Sequence, residues 1–505
     1  MRYFKKIFCV ILCFAILFPI GLSFSGCSAD SDEAYILSIK KSDIESNDNT
    51  DVYIIQYSDG TSSTFTVSNG KDGEDGASGK DGKDGAISIE EVYDKYNEYL
   101  ESNGEEPISY SEFLKLYLKA DIDYSVVINS TLNTSLKLYS EFIETKTVTN
   151  SWGIATGTTT SRAIYGGSGV IYKIEQDYTY ILTNYHVVYS EYSNSDNKIS
   201  YKIGGYMYGS EGSAKYKMSG NQYVTDNYGN QYDYEEGYIE FEYVGGSLEY
   251  DIAILKTETT NITSKNQNAK AIEFADGYNV GEMCFAIGNS EGYGLSATQG
   301  IVSVDSEYIE ITIGGKDIYY RLLRMDTAIY HGNSGGGLFN KNGKLIGITN
   351  AGNNNDQNIN YSIPVNIVKS VTENLMSNYD GTNPSKVKKI KLGIKTGVID
   401  SSYALNSETG FSEIVEKITV KEFTDDNVIG KTSLGLNVDD VLTKFYIKKS
   451  GETEYTEYKL KRNFSLELLI DVRAGDCIKI QYNRGGTLYT SNEYIVDGSD
   501  LNEVE

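Results

Sequence analysis

Apolar and polar residues alternate between Ala34 and Gly70, in the three runs Tyr35–Ile39, Val52–Tyr57 and Phe65–Val67. Strict alternation is the pattern of a half-buried strand, because successive side chains point to opposite faces of a sheet. Asp59-Gly60, between the last two runs, is a hairpin turn signal. This pattern predicts a small β module over residues 27–69.

Helical spacing replaces the alternation in two places. From Ile89 to Leu118 the apolar side chains recur at three- and four-residue intervals, which predicts a helical segment over residues 87–120. A second such pattern, from Val365 to Met376, predicts a helix that ends before Asp380-Gly381, because glycine commonly ends a helix. The segment 121–150 is predicted to be a linker or a lead-in strand.

The N-terminus has the pattern of an export signal. Arg2, Lys5 and Lys6 precede an apolar run to about Ile20, and small residues then lead to Cys27. This resembles a bacterial lipoprotein signal, so residues 1–26 are predicted to be removed and Cys27 to be lipidated. The alternatives are a signal peptide without lipid and an uncleaved anchor helix. The prediction places the protein on the extracellular face of the cell membrane.

Glycine occupies every third position from Gly70 to Gly85, in collagen-like Gly-X-Y triplets that contain no proline. So few triplets cannot hold a triple helix, and residues 70–86 are predicted to be a solvated spacer. Such tracts resemble those of surface proteins from low-GC Gram-positive bacteria.

The composition of the chain excludes one class of partner and favours one class of fold. The chain has 505 residues and a formal net charge of −26, so it should be repelled by nucleic-acid phosphates and by anionic lipid surfaces. We therefore expect no nucleic-acid partner. The 44 tyrosines favour β structure. Cys284 and Cys477, the cysteines left beyond Cys27, lie too far apart in sequence for a disulfide framework.

Three short motifs carry candidate chemistry, in the order His, Asp, Ser. They are Thr183-Asn184-Tyr185-His186, Glu249-Tyr250-Asp251-Ile252 and Gly332-Asn333-Ser334-Gly335-Gly336. A serine hydroxyl becomes a good nucleophile only when a base removes its proton, and imidazole titrates near neutral pH. A carboxylate then holds the imidazole in one tautomer. Because the chain has only two histidines, the use of one in this order is informative.

These motifs resemble those of the trypsin-like serine proteases of the HtrA/Deg family. Supporting stretches are Gly167-Ser168-Gly169-Val170-Ile171, Ala286-Ile287-Gly288-Asn289, Thr298-Gln299-Gly300-Ile301 and Asn360-Tyr361-Ser362-Ile363-Pro364. The resemblance covers about residues 161–376. It implies a mainly β fold, with a chymotrypsin/trypsin-like double β-barrel protease domain over residues 151–376. It also implies His186, Asp251 and Ser334 as the catalytic triad, with an oxyanion hole formed by Gly332 and Ser334.

The spacing of the motifs departs from the family, and one pocket residue differs from that of trypsin. His186 and Asp251 are unusually far apart, which predicts an insertion over residues 190–245; Asp226 and Asp233 in it are the alternative acids if Asp251 is not the catalytic one. Trypsin has an aspartate six residues before its nucleophile, where this chain has Ala328. An alanine cannot neutralise a basic substrate side chain, so we expect cleavage after small or aliphatic residues.

Residues 386–505 resemble a PDZ domain. Leu392, Gly393 and Ile394 fit the carboxylate-binding loop, in which backbone amides capture a peptide C-terminus. A generic β domain without a peptide site is the alternative.

The leading hypothesis is a serine endopeptidase that needs no metal or cofactor and acts on protein or peptide substrates. It would work at the cell surface in protein quality control or regulated proteolysis, and the resemblance allows a homo-oligomer. The alternative is a non-catalytic binding or adhesion lipoprotein that uses the protease-like scaffold and the PDZ-like domain.

Overall fold

A computed structural model of the protein contains two compact units, residues 1–123 and 124–505. The structure describes residues 36–41, 50–57, 62–68, 93–95, 97, 100, 107–109 and 124–504, with gaps at 211, 221, 226–230, 314–315, 354–355 and 406–411. The predictions for the signal segment, the Gly-X-Y spacer and Cys27 therefore lie outside the described residues.

The described part of the first unit is a three-stranded antiparallel sheet. Its strands, in the order β1-β2-β3, are β1 (Ile36–Lys41), β2 (Thr50–Tyr57) and β3 (Ser62–Ser68). Positions 93–95, 97 and 100 are helical.

The second unit holds most of the regular structure. Its first part contains α1 (Ser125–Leu132), β4 (Ser135–Thr149), β5 (Ala155–Ile174), β6 (Tyr178–Thr183), α2 (Tyr185–Val188), β7 (Lys202–Met207), β8 (Ala214–Tyr216), β9 (Met218–Ser219), β10 (Gln222–Tyr223), β11 (Tyr232–Tyr234), β12 (Ile239–Ser247), β13 (Ile252–Glu258) and α3 (Thr259–Thr263). Its middle part contains β14 (Met283–Asn289), β15 (Leu295–Ile313), β16 (Lys316–Met325), β17 (Gly337–Asn340), β18 (Leu345–Asn353), β19 (Asp356–Pro364) and α4 (Val365–Asn378). Its last part contains β20 (Ser385–Ile390), β21 (Ile394–Leu405), β22 (Ser412–Phe423), α5 (Ile429–Thr432), β23 (Val441–Lys448), β24 (Thr456–Lys459), β25 (Cys477–Arg484), β26 (Thr487–Thr490), β27 (Tyr494–Ile495) and β28 (Leu501–Val504). Short 3-10 turns lie at Ser290–Gly292, Asn463–Asp471 and Gly498–Asp500.

Six of these strands close into a first barrel, in the order β13-β6-β5-β4-β7-β12, because β12 also pairs with β13. Fully buried apolar side chains fill it, among them Leu136, Leu138, Ile171 and Ile181. Of the two alternatives predicted for residues 121–150, a linker or a lead-in strand, the structure has the strand over much of the segment. Residues 125–149 form α1 and β4, because the inward side chains of β4 are needed to fill this barrel.

The second barrel is a closed ring of β14-β15-β16-β19-β18-β17. Phe285 and Phe339 stack within its core, with ring centroids 5.6 Å apart. Two six-stranded barrels in one mainly β chain confirm the predicted trypsin-like fold class.

The stretch predicted to be an insertion is only partly one. Residues at both of its ends belong to the first barrel, as β7 and β12. The residues between these strands carry the short pairs β8–β11 and β9–β10. Strand β7 contains the pair Gly204-Gly205, and glycine is more typical of a loop than of a strand.

The residues after α4 form a further β structure. Strands β21-β22-β23-β25-β26 make one sheet over a separate apolar core that includes Phe445, Ile478 and Ile480. Strand β20 pairs in parallel with β12 of the first barrel and antiparallel with β28.

Buried polar contacts also join this C-terminal part to the barrels. Asn374 of α4 donates to the backbone carbonyls of Lys388 and Ile470, at 2.7 and 2.8 Å. Arg321 of β16 is buried and its Nε lies 2.7 Å from the Glu467 carboxylate. Burial raises the pKa of Glu467, and the opposing attraction to Arg321 is too small to cancel that rise.

Candidate active site

The three predicted catalytic residues lie at the junction of the two barrels. His186 is on the single turn α2 that follows β6, and Asp251 is in the tight connection between β12 and β13. Ser334 is on the loop between β16 and β17 of the second barrel. Side chains of all three line one cavity of about 320 Å³. The structure therefore brings together residues that the sequence separates widely.

Asp251 holds His186 through two hydrogen bonds. The imidazole Nδ1 lies 2.7 Å from Asp251 Oδ2, and the His186 backbone N–H donates to Oδ1 at 2.9 Å. Asp251 is fully buried, whereas a third of the His186 side chain is exposed. With Oδ2 bound to Nδ1, the ring directs Nε2 away from the carboxylate, as a general base requires.

The backbone of Asp251 is strained. Its φ is 50°, in the left-handed region that residues other than glycine rarely adopt. Asn184, which is also fully buried, donates through Nδ2 to the Asp251 carbonyl at 2.9 Å. Such strain persists only where the surrounding structure enforces it, and it is frequent at active sites.

A residue that the sequence did not single out completes this network. Asn350, buried within β18, donates through Nδ2 to Asp251 Oδ2 at 2.5 Å. Its backbone carbonyl accepts a hydrogen bond from Ser334 Oγ at 3.0 Å. Asn350 thus contacts both the acid and the nucleophile. A polar residue after the apolar run Leu345–Ile348 was the one sequence signal that could have identified it.

The environment of His186 raises its pKa above the ordinary 6.5. Burial alone would lower this pKa, but the charge of Asp251 and the hydrogen bond that its carboxylate accepts from the ring together outweigh that effect. A raised pKa makes the imidazole a stronger base toward a serine hydroxyl.

The Ser334 hydroxyl is engaged by a backbone carbonyl. It donates to the Asn350 carbonyl, so it must give up this bond before it can donate to His186 Nε2. Catalytic hydrogen bonds commonly tighten only when substrate is bound.

The loop before Ser334 has the shape of an anion-binding turn. Gly332 has a φ of 92°, and an added Cβ there would lie 2.2 Å from the Asn289 carbonyl oxygen, so only glycine fits. Within the described residues, the backbone N–H groups of Gly332 and Ser334 have no hydrogen-bond acceptor. Two free amides beside a nucleophile are what an oxyanion hole needs.

Residues of both barrels fix this loop. Ser168 of β5 donates through Oγ to the Gly332 carbonyl at 2.7 Å, and its backbone N–H donates to the Ser334 carbonyl at 2.8 Å. From the second barrel, the Glu291 N–H donates to the His331 carbonyl at 2.7 Å. Because a trans peptide directs its C=O and N–H to opposite sides, the last bond turns the Gly332 N–H away from Glu291.

The cavity beside Ser334 is lined mainly by neutral side chains. Its residues are His186, Asp251, Ile311, Ile329, Tyr330, His331, Ser334, Asn350, Ala351 and Gly352. Asp251 is its one carboxylate in the described structure, and that group is already bonded to His186 and Asn350. Ala328, predicted to be the pocket wall, is half-buried and not in contact with this cavity; the next residues, Ile329 and Tyr330, form the wall.

Of the alternative acids, Asp233 does not line the cavity. Asp233 lies in β11 and pairs with Lys217 at 2.7 Å, and Asp226 is outside the described residues. No group of three or more His, Cys, Asp or Glu side chains suited to a metal ion occurs among the residues that the structure describes. Nor does any helix in that part of the chain have the length and apolar character to cross a membrane.

The predicted peptide-binding loop precedes the edge strand β21. Leu392 is buried, and Gly393 has a φ of 68°, where an added Cβ would clash with Val428. The carbonyls of Leu392 and Gly393 accept from Gly430 and Thr424. Ile394 opens β21, opposite Phe423.

Comparison with known proteins agrees with this geometry. Residues 167–348 match the trypsin-like peptidase domain family. The serine protease Do-like HtrA of Bacillus subtilis (strain 168) is 27% identical over 315 residues, which are 59% of this chain and 61% of that protein. The protein of the same name from Lactococcus lactis subsp. lactis (strain IL1403) is 26% identical over 340 residues, 65% of this chain and 69% of its own length.

Among solved structures, the HtrA-type protease AlgW with a tripeptide is 21% identical and has a TM-score of 0.44, over 75% of this chain and 98% of that one. The chain spans 61% of the length of the Bacillus relative, somewhat under two thirds. The PDZ-like and lipoprotein interpretations stay predictions. Residues 167–348 thus match a trypsin-like peptidase domain, and the chain is similar to HtrA-type serine proteases.

Proposed function

We propose that this protein is a serine endopeptidase with His186, Asp251 and Ser334 as its catalytic triad. The observation that carries the proposal is the hydrogen-bonded chain Asn350–Asp251–His186, which lies in the same cavity as Ser334. A buried aspartate on the histidine, a serine beside it and two free amides are the parts that acyl transfer requires.

The reaction follows from these positions. The Ser334 hydroxyl transfers its proton to His186 Nε2 while Oγ attacks the peptide carbonyl carbon, and the N–H groups of Gly332 and Ser334 stabilise the oxyanion. The imidazolium then protonates the leaving amine as the C–N bond breaks, which leaves an acyl-enzyme. Water, activated by the same histidine, hydrolyses the ester and restores the serine. Asp251 holds the ring in place and stabilises the imidazolium throughout.

The proposed substrates are proteins cut after small or aliphatic residues. Ile329, Ala351 and Gly352 contribute an apolar wall and open space to the cavity. A buried lysine or arginine side chain would find no free carboxylate there, and an unpaired buried cation is costly.

We also propose that residues 386–505 capture peptide C-termini. Strand β21 is at the edge of its sheet, so a peptide can extend that sheet by one strand. The N–H groups of Leu392 and Gly393 have no acceptor within the described residues, which leaves them available to a terminal carboxylate. With a lipid on Cys27, the enzyme would act at the outer face of the cell membrane, in quality control or regulated proteolysis.

Labelling with a fluorophosphonate tests the proposal, because this reagent reacts only with an activated serine. The parent protein should be labelled, Ser334→Ala and His186→Ala should not, and Ser401→Ala, at an exposed serine far along the chain, should react like the parent. Absence of labelling in the folded parent protein would favour the non-catalytic binding protein instead.

A further inference from the structure

The hairpin of β4 and β5 extends well beyond the first barrel. Strand β4 pairs with β7 only from Leu136 to Glu141, and β5 pairs with β6 only from Val170 to Ile174. Past these ladders the two strands pair with each other as far as Thr149 and Ala155. From Lys146 to Trp152 this two-stranded ribbon reaches about 20 Å, at about 3.4 Å per residue.

The end of this ribbon, residues 147–161, is exposed throughout and carries no charged side chain. We call it the hairpin tip. Asp and Glu are absent from the longer stretch between Thr145 and Ile174, although the chain as a whole has a net charge of −26. Elsewhere the acidic residues are spread widely, so the hairpin tip is set apart electrostatically from the rest of the protein.

Large apolar side chains stand at the hairpin tip. Trp152, the single tryptophan of the chain, is 85% exposed, and Ile154 and Val148 are 63% and 43% exposed. The turn is braced: the Asn150 side chain accepts from the Trp152 and Ile154 N–H groups, both at 3.0 Å. The tryptophan is therefore presented outward by an ordered turn.

We propose that the hairpin tip inserts into the headgroup region of a phospholipid bilayer. Tryptophan favours the boundary between headgroups and acyl chains, because its ring is apolar and its N–H needs a polar partner. The surrounding threonines, serines and glycines are neutral and can hydrogen-bond with headgroups and water.

The charge of the protein does not oppose this placement at the hairpin tip. At physiological ionic strength the screening length is about 8 Å. A ribbon of about 20 Å therefore holds its uncharged end beyond most of the repulsion between an acidic body and an anionic surface. The overall repulsion expected from composition and local insertion at the hairpin tip are thus compatible.

A second copy of the chain is a poorer occupant. At their exposed fractions of 85%, 63% and 43%, and at most roughly 250 Å² each, the three side chains would bury less than about 480 Å² per copy, or about 960 Å² from both copies together. A stable protein interface buries at least about 1,200 Å². Insertion into a bilayer needs no complementary surface, so a narrow apolar end suffices.

The single tryptophan makes the test specific, because the fluorescence of the full chain reports the hairpin tip whatever else contacts the membrane. Vesicles of phosphatidylcholine and phosphatidylglycerol should shift the Trp152 emission to shorter wavelength and reduce its quenching by iodide. Brominated lipids should quench it. Ile154→Asp, at an exposed site, should abolish all three effects without changing the circular dichroism spectrum.

A matched control uses the hairpin of β21 and β22. Tyr403 there is 78% exposed, but Asp400, Glu408, Glu413 and Glu416 lie nearby in sequence. In Trp152→Tyr/Tyr403→Trp the relocated tryptophan should show no shift. The proposal is overturned if vesicles leave Trp152 unchanged, or if the Tyr403→Trp control shifts equally. It is also overturned if Trp152 shifts with protein concentration in the absence of lipid, which would identify a second copy as the occupant.

Discussion

Asn350 donates a 2.5 Å hydrogen bond to the same oxygen of Asp251 that binds the His186 ring. Because Oδ2 serves both groups, Asn350 fixes the rotation of the carboxylate and therefore the aim of the imidazole. We regard it as a positioning residue, since its side chain acts on the site through Asp251.

Replacement of Asn350 should test this relationship. Removal of a hydrogen bond to a buried charge costs about 1.5–3 kcal/mol, so Asn350→Ala should lower kcat by about 10- to 100-fold. Asn350→Ser keeps a donor and should recover part of the loss. Asn342→Ala, at an exposed asparagine, is the control. A positioning role also predicts an altered pH profile in Asn350→Ala; an unchanged profile with a loss confined to stability would indicate a purely structural residue.

The triad should behave as one unit. Ser334→Ala and His186→Ala should each remove nearly all covalent catalysis, and the double variant should be little worse than either. Asp251→Asn should lower kcat by about 10⁴, because an amide favours the wrong tautomer and cannot stabilise the imidazolium. Kinetics with a peptide substrate measure these values. Near-normal turnover of a folded Asp251→Asn protein would contradict the assignment of that aspartate.

The pH dependence should reflect the raised pKa of His186. The imidazole must be neutral to accept the serine proton, so kcat/KM should rise with pH through a midpoint above 6.5. In Asp251→Asn burial remains while the attraction to the carboxylate is lost, so the midpoint should move down. Rate measurements across the pH range test both shifts, and a parent midpoint below 6.5 would contradict the electrostatic account.

Substrate choice should follow the cavity wall. Peptides with Val, Ala or Leu before the cleaved bond should have kcat/KM values at least about 100-fold above those with Lys or Arg, because a buried unpaired cation costs several kcal/mol. Proteome-wide cleavage profiling, with Ser334→Ala as the blank, measures the preference. A basic preference would mean that another carboxylate reaches the cavity.

Removing one partner of the buried pair Arg321–Glu467 should destabilise the protein by more than the intact pair stabilises it. Arg321→Met leaves the Glu467 carboxylate buried without its partner and should destabilise the protein by about 3–5 kcal/mol. Adding Glu467→Gln removes the stranded charge and should recover much of that loss. Urea unfolding of both single variants and the double variant tests this. Equal instability of Arg321→Met and the double variant would show that packing, rather than charge, is responsible.

Short sequence motifs were sufficient to predict the three candidate catalytic residues. His186, Asp251 and Ser334 occur in local contexts that repeat in related proteases, so their meeting in one cavity was foreseeable. The role of Asn350 was not foreseeable, because its partner Asp251 is 99 residues away in sequence. Only the packing of the second barrel against the first brings the two residues together. Ser168 lies in a recognisable strand motif. Its hydrogen bond to the Gly332 carbonyl was not predictable from that motif, because the two residues are 164 positions apart in sequence.

Two strands of the first barrel were hard to predict from the sequence. The residues of β4 were predicted to be a linker or a lead-in strand, and β7 fell within the predicted insertion. Both strands are held by neighbours across the barrel, at Leu138↔Gly205 for example. Strand formation depends on such partners more than on intrinsic preference.

The pairing of β28 with β20 has a consequence for the order of events during folding. An exported chain crosses the membrane unfolded and from its N-terminal end, and domains generally fold as they emerge. The ring that carries His186 and Asp251 closes through β12 and β13, and Ser334 follows well before residue 501, so these three side chains can come together before the last strand has emerged. Strand β28 adds to a sheet that is already complete as a barrel. If the three residues act as proposed, the protein can gain its activity before β28 pairs with β20, and a segment of its own emerging chain would be the first peptide within its reach.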